Sequence, residues 1–188
     1  MLPSMLPVLI AIAVVVVVVV LFVVIVGNRY VRLRNESHQA LSGIDIQLQR
    51  RADLIPNLVA VVKGYAAHEN ETFAAVTQAR ARLMSAQTVS QKGEAAALTT
   101  AALTGLLGVA EAYPELKANQ VFLKLQEQLS DIEALLASAR NYYNAVVRRY
   151  NSAISVFPGN LLAGKRFPPA EYFQADEASR AGPPQVTT

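Results

Sequence analysis

The strongest pattern in the chain is an unbroken apolar run near its start. No residue from Leu6 to Val26 is charged, and valine fills every position from 14 to 20. These residues, about 21 in all at a rise of about 1.5 Å each, would cross about 31 Å, the thickness of a bilayer's hydrocarbon core. A lipid-embedded segment must pair its own backbone groups, so a helix is predicted. We expect residues 1–27 to form a transmembrane anchor, with the lipid bilayer as the partner of Leu6 to Val26.

A cleaved signal peptide is the alternative for this run. Residues 1–5 contain no Lys or Arg, the run is longer than a signal peptide's apolar region, and no Ala-x-Ala-like site follows it. We therefore expect a retained anchor. Arg29, Arg32 and Arg34 follow the run, which by the positive-inside rule predicts a cytoplasmic domain and an external N-terminus. The arginines could instead simply begin a soluble helix.

After Asn28 the apolar positions recur at spacings of three and four, which is typical of one face of an amphipathic helix. The pattern predicts a long helix from 28 to about 86. Pro56 would either kink this helix or begin a new one capped by Asp53. The positions on the predicted buried face are Ile44, Leu48, Ile55, Val59, Val62, Ala66, Phe73, Val76 and Leu83.

A short helix is predicted next, at 94–113, after a polar loop at 87–93. Pro114 would end it, and Gly105 and Gly108 would allow close approach of another backbone. Its predicted buried face consists of Leu98, Ala102, Gly105, Val109 and Ala112.

The clearest element of the soluble part is a helix at about 120–157, whose apolar positions alternate by three and four over five heptads. They are Phe122, Leu125, Leu129, Ile132, Leu136, Ala139, Tyr143, Val146, Tyr150, Ala153 and Phe157. The flanking columns are also partly apolar: Val121, Leu135 and Tyr142 on one side, Val147 and Ile154 on the other. So wide a stripe predicts several neighbours, as in a bundle.

The predicted fold is therefore all-α, with an N-terminal transmembrane helix followed by a long antiparallel helical bundle over residues 28–175. Pro158 should end the last long helix. The apolar residues of the tail, which are expected to pack back onto the bundle, are Leu161, Leu162, Phe167, Tyr172 and Phe173. Residues 176–188 are predicted to be disordered.

Composition and motifs give no sign of catalysis. The formal net charge of +3 is too small to favour nucleic acid as a partner, and without cysteine no thiolate metal site can form. His68-Glu69 begins like a zinc-protease helix, but Thr72 stands where the second histidine belongs. No phosphate-binding loop is present. We therefore assign no catalytic, cofactor-binding or metal-binding residue.

Several blocks of the sequence form a set in a characteristic order, at residues 44–59, 62–69, 110–119, 143–145, 150–151, 157–158 and 172–173. They include the pairs Tyr143-Asn144 and Tyr150-Asn151. Together the blocks resemble the LemA family. One departure is Leu41, where that family usually has Trp. The resemblance implies a single N-terminal membrane helix with a long all-helical domain, and it supplies no reaction.

The predicted function is that of a membrane-anchored, non-enzymatic scaffold or interaction protein. A homo-oligomer with contacts close to the bilayer is expected, because unequal helices should leave the region of Leu33, Leu41 and Ile44 without an intramolecular partner. A membrane protein is a further candidate partner. The alternatives are an enzyme with a site formed across helices and a regulatory adaptor for another membrane protein. The candidate interaction face consists of Leu41, Ile44, Asp45, Arg50, Arg51, Asp53 and Asn57.

Overall fold

The fold is all-helical, as the sequence predicts. A computed structural model describes residues 2–174, with side chains from Leu9 onward except that of Lys165. No strand occurs in that part of the chain. The helices are α1 (Leu2–Lys63), α2 (Asn70–Ser85), α3 (Val89–Glu111), α4 (Pro114–Lys117), α5 (Gln120–Ser155) and α6 (Asn160–Ala163), followed by a 3₁₀ turn at Gly164–Arg166.

The described chain divides into two compact units. The first unit contains residues 2–39 and 145–170, and the second contains residues 40–144 and 171–174. Helices α1 and α5 each contribute to both units. The predicted tail at 176–188 lies outside the described residues.

Helix α1 begins in the apolar run and continues without interruption to Lys63. Its large apolar side chains from Leu9 to Ile25 are exposed, so the protein itself does not cover this segment. Pro56 lies inside the helix, which excludes the predicted alternative of a new helix at that position. Within residues 2–174, two helices are long and apolar enough to cross a membrane, α1 from Leu9 and α3. Only α3 buries part of its apolar stretch within the chain.

The predicted continuous helix from 28 to 86 is wrong, because α1 and α2 are separated at residues 64–69. The backbone tightens there: the N–H groups of Gly64 and Tyr65 donate to the carbonyls three residues earlier, at 3.2 and 3.0 Å. Lys63 followed by Gly64 is a sequence signal for a helix end, although Gly64 itself does not adopt a positive φ. Ala66 lies in the turn and is buried.

Helix α3 starts earlier than predicted and buries a different face. Thr88 and Gln91 form a capping box that begins the helix at Val89. Leu98 and Gly105, predicted to be buried, are exposed. A Cβ atom at Gly105 or Gly108 would meet nothing within 4 Å, so no backbone approaches closely there. The side chains that α3 buries are those of Ala95, Ala96, Thr99, Leu103, Leu106 and Ala110.

Helix α5 presents the predicted face. Eight of its eleven predicted positions are buried, Ala139 and Ala153 are half-buried, and Phe157 lies beyond the helix end and is exposed. The two flanking columns differ: Val147 and Ile154 are buried, and the opposite column is exposed. The core of the second unit joins this helix to the others through Ile55, Leu58, Val62, Phe73, Val76, Leu103, Leu106, Leu116, Phe122, Leu125 and Leu129.

The first unit has a small core in which Tyr30 of α1 packs against the end of α5 and the turns that follow it. Tyr30, Tyr150, Ile154, Ala163 and Phe167 form this cluster, and the rings of Tyr30 and Phe167 meet edge to face at 5.3 Å. The prediction for the tail is correct for the phenylalanines, since Phe167 and Phe173 are buried, and Leu162 is half-buried. It is wrong for Leu161 and Tyr172, which are exposed.

Candidate functional site

A surface depression of the first unit lies between α1 and the end of α5. We call it the α1–α5 groove. Its volume is about 730 Å³, within the range of ligand sites. Its walls are Phe22, Val26, Arg29, Tyr30 and Leu33 from α1, and Arg148, Arg149, Ser152, Ala153, Val156, Phe157, Pro158 and Gly159 from α5 and the turn after it.

The two helices run antiparallel along the groove. The Tyr30 hydroxyl donates to the carbonyl oxygen of Ala153 at 3.1 Å, and further along α1 Glu36 forms an ion pair with Arg149. Burial raises the pKa of Tyr30, and the Arg29 charge offsets this in part. A Cβ atom on Gly159 would clash with the Tyr30 hydroxyl and come within 2.6 Å of the Ala153 carbonyl oxygen. Glycine is therefore required for this close contact.

The groove combines cationic and apolar walls. Arg29, Arg148 and Arg149 contribute guanidinium groups, and none of the described residues that line it is acidic. Val156 and Phe157 are 62% and 74% exposed despite their size. The arrangement can hold an anionic group beside an apolar one.

Two Tyr-Asn pairs of α5 bind the extended segment that follows the 3₁₀ turn. In the second unit, Asn144 exchanges two hydrogen bonds with the backbone of Phe173, at 2.9 and 3.1 Å. The Tyr143 hydroxyl donates to the carbonyl oxygen of Glu171 at 2.7 Å. The pair thus holds the segment much as a neighbouring β-strand would.

The second pair repeats this arrangement within the first unit. Asn151 exchanges two hydrogen bonds with the backbone of Ala170, both at 2.9 Å, and the Tyr150 hydroxyl donates to the carbonyl oxygen of Pro168, also at 2.9 Å. Burial raises the pKa of Tyr143 and of Tyr150, with the Glu171 charge adding to the shift of Tyr143. These side chains hold the segment against α5.

Arg51 is a buried charge that joins three helices of the second unit. It is 1% exposed. Its Nη1 donates to the Ala96 carbonyl oxygen at 3.2 Å, and its Nη2 donates to Thr100 Oγ1 at 2.9 Å. The Glu133 carboxylate lies 2.6 Å from Nη2. Burial lowers the pKa of Arg51, and the charge of Glu133 acts in the opposite direction.

The candidate interaction face is divided by the fold. Ile44 and Arg51 are buried within the chain, so the expectation that the region of Ile44 has no intramolecular partner is wrong. Leu41 is half-buried, and Asp45 forms an ion pair with Lys92 at 2.6 Å. Only part of the predicted face is therefore exposed on the surface.

The exposed members of the face lie on α1. Arg50, Asp53 and Asn57 are exposed, and Asp53 accepts a hydrogen bond from Gln49 at 2.9 Å. Among the described residues, no ion pair joins Arg50 to Asp53. The three topology arginines, Arg29, Arg32 and Arg34, are also exposed, and Arg29 lines the groove.

The groove could not be recognised from the sequence, because its walls are more than 100 residues apart in the chain. The Tyr-Asn repeat was visible as a motif, but its role was not. In the part of the chain that the structure describes, no group of three or more His, Asp or Glu side chains is placed to hold a metal ion.

These features define a class of all-helical protein in which an exposed apolar N-terminal helix continues into a packed helical domain. The chain matches the profile of the LemA family over residues 40–187. It belongs to the LemA family.

Curated relatives of the chain carry two names. Protein LemA of Metamycoplasma hominis is 30% identical over 156 residues, which cover 81% of this chain and 71% of that protein. Magnetosome proteins MamQ 1 and MamQ 2 of Paramagnetospirillum magneticum are each 27% identical over 178 residues, which cover 80% of this chain. The match spans 65% of the length of each of these two MamQ proteins.

Proposed function

We propose that this protein is a non-enzymatic, membrane-anchored interaction protein whose helical domain lies at the cytoplasmic face. The observation that carries the proposal is α1 itself. One helix runs from the exposed apolar segment into the packed units without a break. Side chains from Leu9 to Ile25 that have no cover within the protein are what a lipid-facing helix requires.

The orientation rests on the charges that follow the anchor. Arg29, Arg32 and Arg34 are exposed directly after Val26, where they would remain on the cytoplasmic side of the membrane. The chain is similar to three curated proteins whose names describe no reaction, which agrees with an interaction role.

The contacts that the conspicuous polar side chains make within the fold also support the interaction role. Arg51 and Glu133 connect helices, and the asparagines of α5 bind backbone. The exposed residues Arg50, Asp53 and Asn57 remain available as a docking face for a membrane protein.

Extraction of membranes with alkaline carbonate tests the anchor. Full-length protein should stay in the membrane pellet. A Val16→Lys/Val19→Lys variant should move to the supernatant, because each lysine at the centre of the span costs about 2.5–3.5 kcal/mol. Val16→Leu/Val19→Leu is the matched control and should stay in the pellet. Recovery of the unaltered protein in the supernatant would contradict the proposal.

We also propose that the protein forms a homo-oligomer, through α5 rather than through Ile44. Val121, Leu135 and Tyr142 are exposed at spacings of 14 and 7 residues, which aligns them on one column of the helix. Exposed apolar columns of this kind are usual at helical interfaces.

Light scattering coupled to chromatography in detergent tests this contact. The unaltered protein should be a multimer, and Leu135→Asp/Tyr142→Asp should reduce it to a monomer. Ser130→Asp, an exposed change elsewhere on α5, should leave the mass unchanged. A monomeric unaltered protein at micromolar concentration would exclude the homo-oligomer.

A further inference from the structure

We propose that the α1–α5 groove binds an anionic phospholipid, with the phosphate at its arginines and the upper acyl chain against its apolar wall. This inference rests on the proposed membrane anchoring. It adds a specific lipid-binding site to the proposed membrane anchor.

The first support is the position of the groove on α1. Phe22 and Val26 belong to the apolar segment, whereas Arg29 lies one turn beyond it. At a rise of about 1.5 Å per residue, Arg29 is about 4.5 Å past Val26 along the helix axis. The groove therefore begins beside the acyl chains and ends at the depth of the headgroups.

The second support is the opposite wall. Val156 and Phe157 are exposed at the end of α5, and Leu161 of α6 is exposed as well. Large apolar side chains exposed beside a membrane anchor are stabilised when they enter the interfacial region of the bilayer. A water-soluble anion would leave this wall uncovered, whereas a phospholipid acyl chain covers it.

The third support is charge. Arg29, Arg148 and Arg149 line the groove, and Arg149 also forms an ion pair with Glu36. Guanidinium groups bind phosphate through paired hydrogen bonds. A zwitterionic lipid brings its own cation to the arginines, so a lipid with net negative charge is preferred.

A second copy of this chain is the competing occupant. Two copies meeting through the same groove would place their arginines against each other, and like charges at an interface disfavour association. The observations therefore favour lipid.

The experiment uses the absence of tryptophan from the sequence. Phe157→Trp places a single fluorescent reporter in the groove of the full-length protein, which is reconstituted into phosphatidylcholine vesicles. A minor fraction of either phosphatidylglycerol or phosphatidylcholine, brominated near the headgroup end of the acyl chain, is then added at equal mole fraction. Quenching of the tryptophan reports which lipid occupies the groove.

Brominated phosphatidylglycerol should quench more strongly than brominated phosphatidylcholine, with an apparent preference of roughly fivefold for each contributing arginine at low salt. Arg29→Gln/Arg148→Gln in the same background should abolish the preference. Lys124→Gln, which removes an exposed charge of α5 outside the groove, should retain it. Circular dichroism verifies that each variant is folded.

Equal quenching by the two lipids would overturn the lipid site. Absence of quenching by either lipid, with the protein retained in carbonate-washed vesicles, would also overturn it and favour a second copy in the groove. Release of the protein from the washed vesicles is a separate result, because it would overturn the membrane anchoring along with the lipid site.

Discussion

Arg51 shows how a single residue can fix the arrangement of several helices. Its guanidinium group reaches α3 through Ala96 and Thr100 and reaches α5 through Glu133. Its Nε has no hydrogen-bond partner among the described residues, so the ion pair with Glu133 and the two hydrogen bonds from Nη1 and Nη2 must compensate for burying the charge. A partner lost from such a pair leaves a buried charge uncompensated.

Glu133→Gln should therefore lower the free energy of unfolding. The side chain of Glu133 is 37% exposed, so water screens the pair, and we expect a loss of about 1.5–3 kcal/mol, the range for hydrogen bonds to charged groups. Glu127→Gln on the exposed face of α5 should change it by less than about 0.5 kcal/mol. Denaturant unfolding measures both, and equal effects would show that the pair does not hold the helices.

The buried tyrosines predict the response to alkaline pH. Burial raises the pKa of Tyr143 and of Tyr150 in the folded state. A raised pKa means that the folded protein holds the proton more tightly, so this stabilisation is complete below about pH 10, the usual tyrosine value, and is lost as the pH rises through the folded pKa.

Unfolding midpoints measured across this range should fall above about pH 10. Tyr143→Phe should make the fall shallower, because it removes a buried hydroxyl whose pKa is raised in the folded state. An unchanged pH dependence in Tyr143→Phe would contradict the conclusion that folding raises the pKa of Tyr143.

The sequence does not show which polar residues of the site are buried. Arg51 and Arg50 are adjacent and chemically identical, yet one is buried and the other exposed. Only the positions of α3 and α5 distinguish them. Ile44 lies on the predicted buried face, but the sequence does not show that a partner within the chain covers it.

At the scale of elements, α5 was predictable and α3 was not. Large apolar residues mark the buried face of α5 at every turn, so the heptad pattern identifies it. Helix α3 consists largely of Ala, Thr and Gly, which differ little between buried and exposed positions. The end of α1 was missed although Lys63-Gly64 carries the signal for it.

The two Tyr-Asn pairs give a reciprocal prediction for hydrogen exchange. Asn144→Ala should accelerate exchange of the Phe173 amide, because that N–H donates to the Asn144 side chain, and leave the Ala170 amide protected. Asn151→Ala should have the opposite pattern. A net hydrogen-bond contribution of about 1 kcal/mol corresponds to roughly fivefold faster exchange. If neither amide changes, the asparagines do not hold the segment.

At the scale of the whole molecule, the sequence was sufficient for the fold class and for a candidate membrane span. The length and apolarity of each segment decide the fold class and the candidate span, and these are local properties of the chain. The α1–α5 groove could not be predicted, since it unites residues near 22–33 with residues near 148–159. Membership of the LemA family agrees with the helical fold.

The central proposal is that α1 crosses the membrane once and holds the domain in the cytoplasm. The chain has no cysteine, so single cysteines at Ser4 and Ser179 can be labelled selectively in intact cells with an impermeant thiol reagent. The account predicts labelling at position 4 and protection at position 179 until the cells are opened. Labelling at position 179 with protection at position 4 would contradict it.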